Sequence, residues 1–323
     1  MLVYCTPSIK IEVTRSMMGQ TSPDTIPLPM AQGNSEVDEK ALRAHPISGS
    51  ALVESQQFGK SLWEKTGKLT VKLPDATLKD YFLKCVTWVC PKTICLGKIA
   101  NKEGSYFLLV EFRHIARQPA EPTKLASHLA DMHLRCVSPT GKFGFHIATC
   151  HTKIIQVIDV WDDSWCVVFR RHLGHITSLA SPVFQWPEFD IVSRVVLGKV
   201  VPRLLLPLQS DGRVQKPSLV HGDCWDGNTA VDRKSGEAFI FDACSFHRHN
   251  EHYTGNWRAP RHNLSGKAHI ENYELHFPVS EPVEDWDARN QLYSLPYNLG
   301  NVIYVPESSQ RQVYENSLYS NLS

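Results

Sequence analysis

Residues 219–242 read LVHGDCWDGNTAVDRKSGEAFIFD, and the rest of the chain is best read outward from this stretch. Asp223 and Asn228 stand five residues apart in a loop rich in Gly and Asp. Val231 then enters a short strand, Asp232-Arg233-Lys234-Ser235-Gly236 reads as a turn, and Ala238 to Phe241 reads as the returning strand. Asp242 follows at once, fourteen residues after Asn228. A hairpin brings its two ends together, so the Asn228 amide and the Asp242 carboxylate are expected side by side. Both are hard oxygen donors, the kind that Mg²⁺ prefers.

Phosphoryl transfer from ATP asks for such a set: a carboxylate to orient the attacking hydroxyl, oxygen ligands for Mg²⁺, and a Lys to neutralise phosphate charge. Asp223 and Asn228 have the spacing of the Asp and Asn in the kinase catalytic loop H-R-D-x-x-x-x-N. Asp223 is then the base, and Asn228 and Asp242 are the metal ligands. An Asx-rich turn followed by an unrelated Asp is the plainer alternative. It does not account for His, Gly, Asp, Trp, Gly and Asn in fixed order with a returning strand behind them.

Upstream, the pattern is β-rich. Val53–Gln57, Trp63–Leu73, Asp80–Val86, Thr93–Ile99 and Ser105–Phe112 read as five strands broken by turn signals such as Pro74-Asp75-Ala76, and together as one antiparallel sheet. Beyond Glu111 the periodicity becomes helical. Leu125, Leu129, Met132 and Leu134 define one apolar face, and Trp161–Ser178 and Phe189–Leu206 are further helices. The segments SGKAHIENYELHF and DWDARNQLYSLPYNLGNVIYV supply amphipathic helices near the end. The expected class is α+β and bilobal, protein-kinase-like in outline. Residues 1–35 form a disordered tail, 36–112 a β-rich nucleotide lobe, and 113–323 a mostly helical catalytic lobe. A short helix is expected near Val37–Ala44.

The loop LVHGDCWDGN resembles the HGDLWxGN loop of the fructosamine/ketosamine 3-kinases, and FDACSFHRHNEHYTGNWR resembles the metal-binding segment of the fungal members. VSPTGKFGFHIAT, WDDSWCVVFRRHL and VVPRLLLPL extend the likeness over about residues 36–315. The resemblance implies the fold of the aminoglycoside phosphotransferases. It also implies ATP-dependent, Mg²⁺-dependent phosphorylation of the 3-hydroxyl of ketosamines, either small molecules or glycated proteins, as a deglycation step. By position it makes Asp223 the base, His221 the support of the loop, and Asn228 and Asp242 the metal ligands. Trp225 either packs on the sugar or is a core Trp, and Glu251 shapes the sugar site. Lys84 contacts the phosphates or is a solvated edge-strand Lys. Gln57-Phe58-Gly59-Lys60-Ser61 covers the phosphates, with Gly59 and Ser61 in it, and Glu111 and Phe112 lie at the adenine hinge.

The chain departs from this pattern in two places. Cys224 replaces a Leu, a modest apolar exchange. Between Lys84 and the next strand only CVTWVCPK remains, with no acid to pair with Lys84 and with Pro91 against a helix. An impaired pseudokinase, and a related phosphotransferase acting on choline or an aminoglycoside, therefore stand beside the ketosamine kinase.

Composition excludes other classes. Hydrophobic residues make up 42% and charged residues 21%, with a formal net charge of +1, so no basic excess points to nucleic acid. No apolar run approaches the ~20 residues of a spanning helix, and Met1–Arg15 has no basic start before a long apolar core. The nine cysteines include no C-x-x-C pair, which suits reduced thiols in a cytoplasmic protein better than a disulfide framework or zinc site. His247, His249 and His252 cluster beside Glu251, but as a polar loop rather than a zinc site.

Overall fold

A computed structural model describes residues 51–57, 65–86, 95–98, 106–116, 118–184 and 186–305. The expected tail and the Val37–Ala44 helix lie outside them. The chain divides into two compact units, Met1–Arg113 and His114–Ser323.

The first unit holds a five-stranded sheet of β1 (Ala51–Gln57), β2 (Lys65–Lys72), β3 (Leu78–Val86), β4 (Cys95–Lys98) and β5 (Tyr106–Glu111). Their order is β1-β2-β3-β5-β4 and every pairing is antiparallel. Alternation sets the faces: Leu69 and Val71 on β2 and Tyr81 on β3 are buried. The β2–β3 turn is held by Asp75, whose Oδ1 accepts the Thr77 N–H at 3.0 Å. Across the same strands Lys68 Nζ meets Asp80 Oδ2 at 2.8 Å, and Thr70 Oγ1 donates to Asp80 Oδ1 at 2.7 Å. Lys84 pairs in register with Thr66 and Leu108, in mid-sheet rather than on an edge strand. Residues 87–94, where the missing acid is at issue, lie outside the described residues.

The second unit begins with α1 (Pro122–Arg135), which buries Leu125, Ala126, Leu129, Ala130 and His133. The i, i+4 spacing from Leu125 runs through Leu129 to His133, so Leu134 is exposed instead of buried. His133 is accommodated by a hydrogen bond between its Nδ1 and Tyr273 Oη at 2.8 Å, on α5 (Lys267–His276). The small strands β6 (Thr149–His151) and β7 (Ile154–Gln156) pair with each other. α2 (Trp165–Phe184) starts four residues later than its apolar pattern suggested, because Asp162 and Ser164 form the turn before it: Asp162 Oδ1 accepts the Ser164 N–H at 2.8 Å. The expected Phe189–Leu206 helix is α3 (Pro187–Val195), a π-helical turn over Val196–Val200, and α4 (Val201–Leu205). β8 (Ser218–Val220), β9 (Thr229–Val231), β10 (Ala238–Ile240) and β11 (Phe246–Arg248) follow. A 3₁₀ stretch, Asn250–Arg258, packs against the last helix, α6 (Trp286–Tyr304), which also lies on α2. Among the described residues no helix is long and apolar enough to cross a membrane.

Candidate active site

β8 pairs antiparallel with β11, so the chain entering the 221–228 loop is fixed to the chain leaving Asp242. Gly222 makes the turn between them with φ +92°; a Cβ there would stand 2.5 Å from the Cys244 carbonyl oxygen. His221 closes the clasp. Its carbonyl accepts the Cys244 N–H at 2.9 Å, its Nδ1 accepts the Asp223 N–H at 3.3 Å, and its Nε2 donates to the Phe241 carbonyl at 2.8 Å. Those partners require the neutral Nε2–H tautomer, and burial holds the ring below its ordinary pKa. His221 is thus a positioning residue.

The Asp223 carboxylate is held from both sides. Asn228 Nδ2 donates to Oδ2 at 2.9 Å and to the Asp223 carbonyl at 2.8 Å. His151 Nε2 lies 3.1 Å from Oδ1. Burial pulls this carboxyl upward, but His151, His221 and the Asn228 amide outweigh it and hold it below the ordinary carboxylate value. It is therefore ionised at neutral pH, and each oxygen keeps a second lone pair for a substrate hydroxyl.

The rest of the loop is anchored with equal care. The Cys224 carbonyl accepts Trp257 Nε1 at 3.2 Å and Asn256 Nδ2 at 3.3 Å, while burial pushes the Cys224 thiol up to about 12. The Asp226 carboxylate caps the next turn by accepting the N–H groups of Asn263 and Leu264 at 2.8 and 3.2 Å. Trp225 is 39% exposed, so it is not a core Trp. Its ring lies against Gly227, where a Cβ would come within 2.4 Å of it.

β9 and β10 form the expected hairpin, with Thr229 opposite Ile240. One residue further on, the Phe241 N–H donates to the Asn228 carbonyl at 3.1 Å, which brings Asn228 and Asp242 to the same end of the hairpin. The Asn228 amide nitrogen is committed to Asp223, which leaves its amide oxygen outside that pair. Asp242 is exposed and has φ +63°, a conformation that few residues with a side chain adopt. An amide oxygen and a carboxylate suit Mg²⁺, which takes one or two protein ligands beside phosphates. Among the described residues no group of three His, Cys, Asp or Glu side chains gathers as a metal site.

Other expectations fall elsewhere. Glu251, expected to shape the sugar site, is taken up in a buried ion pair: its oxygens accept Arg289 Nε at 3.0 Å, Arg289 Nη2 at 3.2 Å and the Ser280 N–H at 2.7 Å, and both side chains are buried. His249 bonds Tyr293 Oη and Ser280 Oγ, at 2.8 and 2.9 Å, and is a core residue. Lys84 and Glu111 lie on β3 and β5, and Phe112 follows β5, with its N–H on the Asp80 carbonyl at 3.3 Å. Gly59 and Ser61 lie outside the described residues. His151 comes from β6, far from Asp223 in sequence, and no spacing in the sequence signals it.

The sequence model described as Fructosamine kinase matches residues 76–316. A chloroplastic protein-ribulosamine 3-kinase of rice is 27% identical over 200 residues, 61% of this chain and 54% of the relative. Mouse ketosamine-3-kinase is 28% identical over 204 residues, 53% of this chain and 59% of the relative. The chain spans about half the length of these curated relatives. Among solved structures, a candidate fructosamine-3-kinase of Haemophilus somnus superposes with a TM-score of 0.66 at 15% identity, covering 88% of this chain and 96% of that one. That likeness establishes the fold as the α+β, bilobal, protein-kinase-like one.

Proposed function

We infer the reaction from one premise: the chain belongs to the fructosamine kinase family. It transfers the γ-phosphoryl group of ATP to the 3-hydroxyl of a ketosamine, a ketosugar joined to an amine, either free or on a protein. The observation that carries this reading is the Asp223 carboxylate, kept ionised and held by Asn228 and His151 at the end of the hairpin that also carries Asp242. Asp223 accepts the hydroxyl proton as the hydroxyl oxygen bonds to the γ-phosphorus and ADP departs. Asn228 Oδ1 and the Asp242 carboxylate would hold Mg²⁺, which when bound neutralises charge on the phosphates. The exposed face of Trp225 packs on the sugar ring. In the first unit Lys84 neutralises phosphate charge, Gly59 and Ser61 belong to the loop over the phosphates, and the backbone of Glu111 and Phe112 serves adenine.

The test is ADP release with Mg·ATP, with and without ribulosyl- or fructosyl-lysine. Substrate-dependent turnover supports the reading; turnover on choline or an aminoglycoside but not on these sugars overturns it. Folded protein that binds Mg·ATP without turnover would be a pseudokinase, which the short, acid-free 87–94 connection favours as the second reading.

Two further results are expected. Asp242→Ala abolishes Mg²⁺-dependent nucleotide binding in calorimetry, because a carboxylate on Mg²⁺ has no substitute there; unchanged Mg·ATP affinity removes Asp242 from the metal site. His151→Leu shifts the acid limb of the kcat/KM profile to higher pH. It removes the leading influence that lowers the Asp223 pKa and leaves the burial that raises it, so the base is lost to protonation sooner on acidification. An acid limb that stays in place detaches His151 from the base.

A further inference from the structure

Arg248, on β11, is 1% exposed, and no carboxylate among the described residues pairs with it. Its Nη1 donates to His252 Nδ1 at 2.9 Å and to Tyr297 Oη at 3.3 Å, and its guanidinium lies 3.6 Å from the centroid of the Phe246 ring. Its Nε and Nη2, both buried, have no acceptor. Burial works against its charge, yet guanidinium does not give up its proton in proteins. The result is a buried cation with two donors unanswered, normally a heavy cost.

The same residue lines a small cavity with His151, Gln156, His172, His252 and Tyr297. Arg248 has only donors, so His252 Nδ1 must accept from it, and the neutral His252 ring then carries its proton on Nε2. His252 Nε2 is also buried without a partner, as is His172 Nδ1. Gln156 is already engaged: its Nε2 donates to Thr149 Oγ1 and the Cys244 carbonyl at 2.8 and 3.0 Å. Burial raises the Tyr297 hydroxyl pKa, so that group supplies no negative charge. Arg248 and His252, which carry three unanswered N–H donors between them, one set on a full positive charge, therefore line space for about one water-sized body.

We propose that this cavity is a binding site for one small monovalent anion of halide size, which neutralises Arg248. A sulfate or phosphate is too large for the space, and a water brings no charge. The site adjoins the catalytic loop through His151, which lines the cavity and also meets Asp223 Oδ1 at 3.1 Å. It is separate from the nucleotide and sugar groups named above.

The test is thermal unfolding of the full chain in chloride, bromide and sulfate at constant ionic strength, with and without Arg248→Met. The wild-type Tm should rise with chloride or bromide and not with sulfate, by roughly 3–5 °C for each tenfold rise above the dissociation constant. R248M should lose that rise and match or exceed the wild type without halide, since removing an unpaired buried charge relieves its cost. A bromide-soaked crystal should show an anomalous peak beside Arg248 Nε and Nη2, a readout that stands even if R248M fails to fold. A Tm indifferent to the anion, an undiminished rise in R248M, or a water without anomalous signal at that position overturns the proposal.

Discussion

Asp223→Ala lowers turnover on a ketosamine by at least a hundredfold and leaves Mg·ATP binding nearly intact. A positioned base contributes ~10²–10⁴-fold to such a step. Asp223 has the requirements for it: an ionised carboxylate, oriented through both oxygens by Asn228 and His151, at the mouth of a loop clasped by His221. Asn228 loses its bond to the Asp223 carboxylate but keeps the one to the Asp223 carbonyl, and the Asp242 carboxylate assigned to the metal is not altered, so nucleotide affinity should nearly hold. Comparing kcat with the Kd for Mg·ATP separates the two effects, and near-ultraviolet circular dichroism checks that the loop still folds. Turnover within a few-fold of wild type would remove Asp223 from the chemistry.

The second large effect is on stability. Acidification from pH 7 to pH 5 should destabilise the fold steeply, well before ordinary carboxylates protonate. His133, His172 and His249 are fully buried, and burial lowers their pKa values to about 3, about 3 and about 4. In the unfolded chain they titrate near 6.5. Below that pH the unfolded state binds protons that the folded state refuses, so stability is complete above about 6.5 and drains away as pH falls toward the folded values. Each such histidine costs about 1.4 kcal/mol per pH unit in that window. Asp223 adds nothing there: its depressed pKa withdraws stability only below the ordinary carboxylate range. Urea midpoints at pH 7, 6 and 5 measure the slope, and His133→Leu should flatten it by about one proton. A flat profile over that range would mean that the three rings are protonated in the folded state.

Much of this was legible in one dimension, and the exceptions share a cause. The 219–242 segment could be read because its elements are local: the hairpin turn lies between its strands, and the loop spacing fixes Asp223 against Asn228. The five strands of the first unit could be read because alternation and turn residues are also local signals. What escaped was set by distant partners. Glu251, expected at the sugar site, has its carboxylate taken by Arg289 on α6, a partner that no local pattern signals. His151 sits on a three-residue strand too short to leave a pattern. Leu134 outranked His133 on hydrophobicity, yet the helical period places the histidine inward, where Tyr273 satisfies it. The start of α2 lies later than expected because Asp162 and Ser164 together make a turn ahead of it.

Asp242 carries a last consequence. A residue with a side chain held in the left-handed region costs about 1 kcal/mol or more, which glycine would avoid. A population selected only for heat resistance would therefore drift toward glycine at this position, and would shed the carboxylate assigned to the metal as it did so. If the assignment holds, robustness and chemistry pull in opposite directions at this one residue, and a screen that rewards survival on heating would enrich chains without the proposed metal carboxylate.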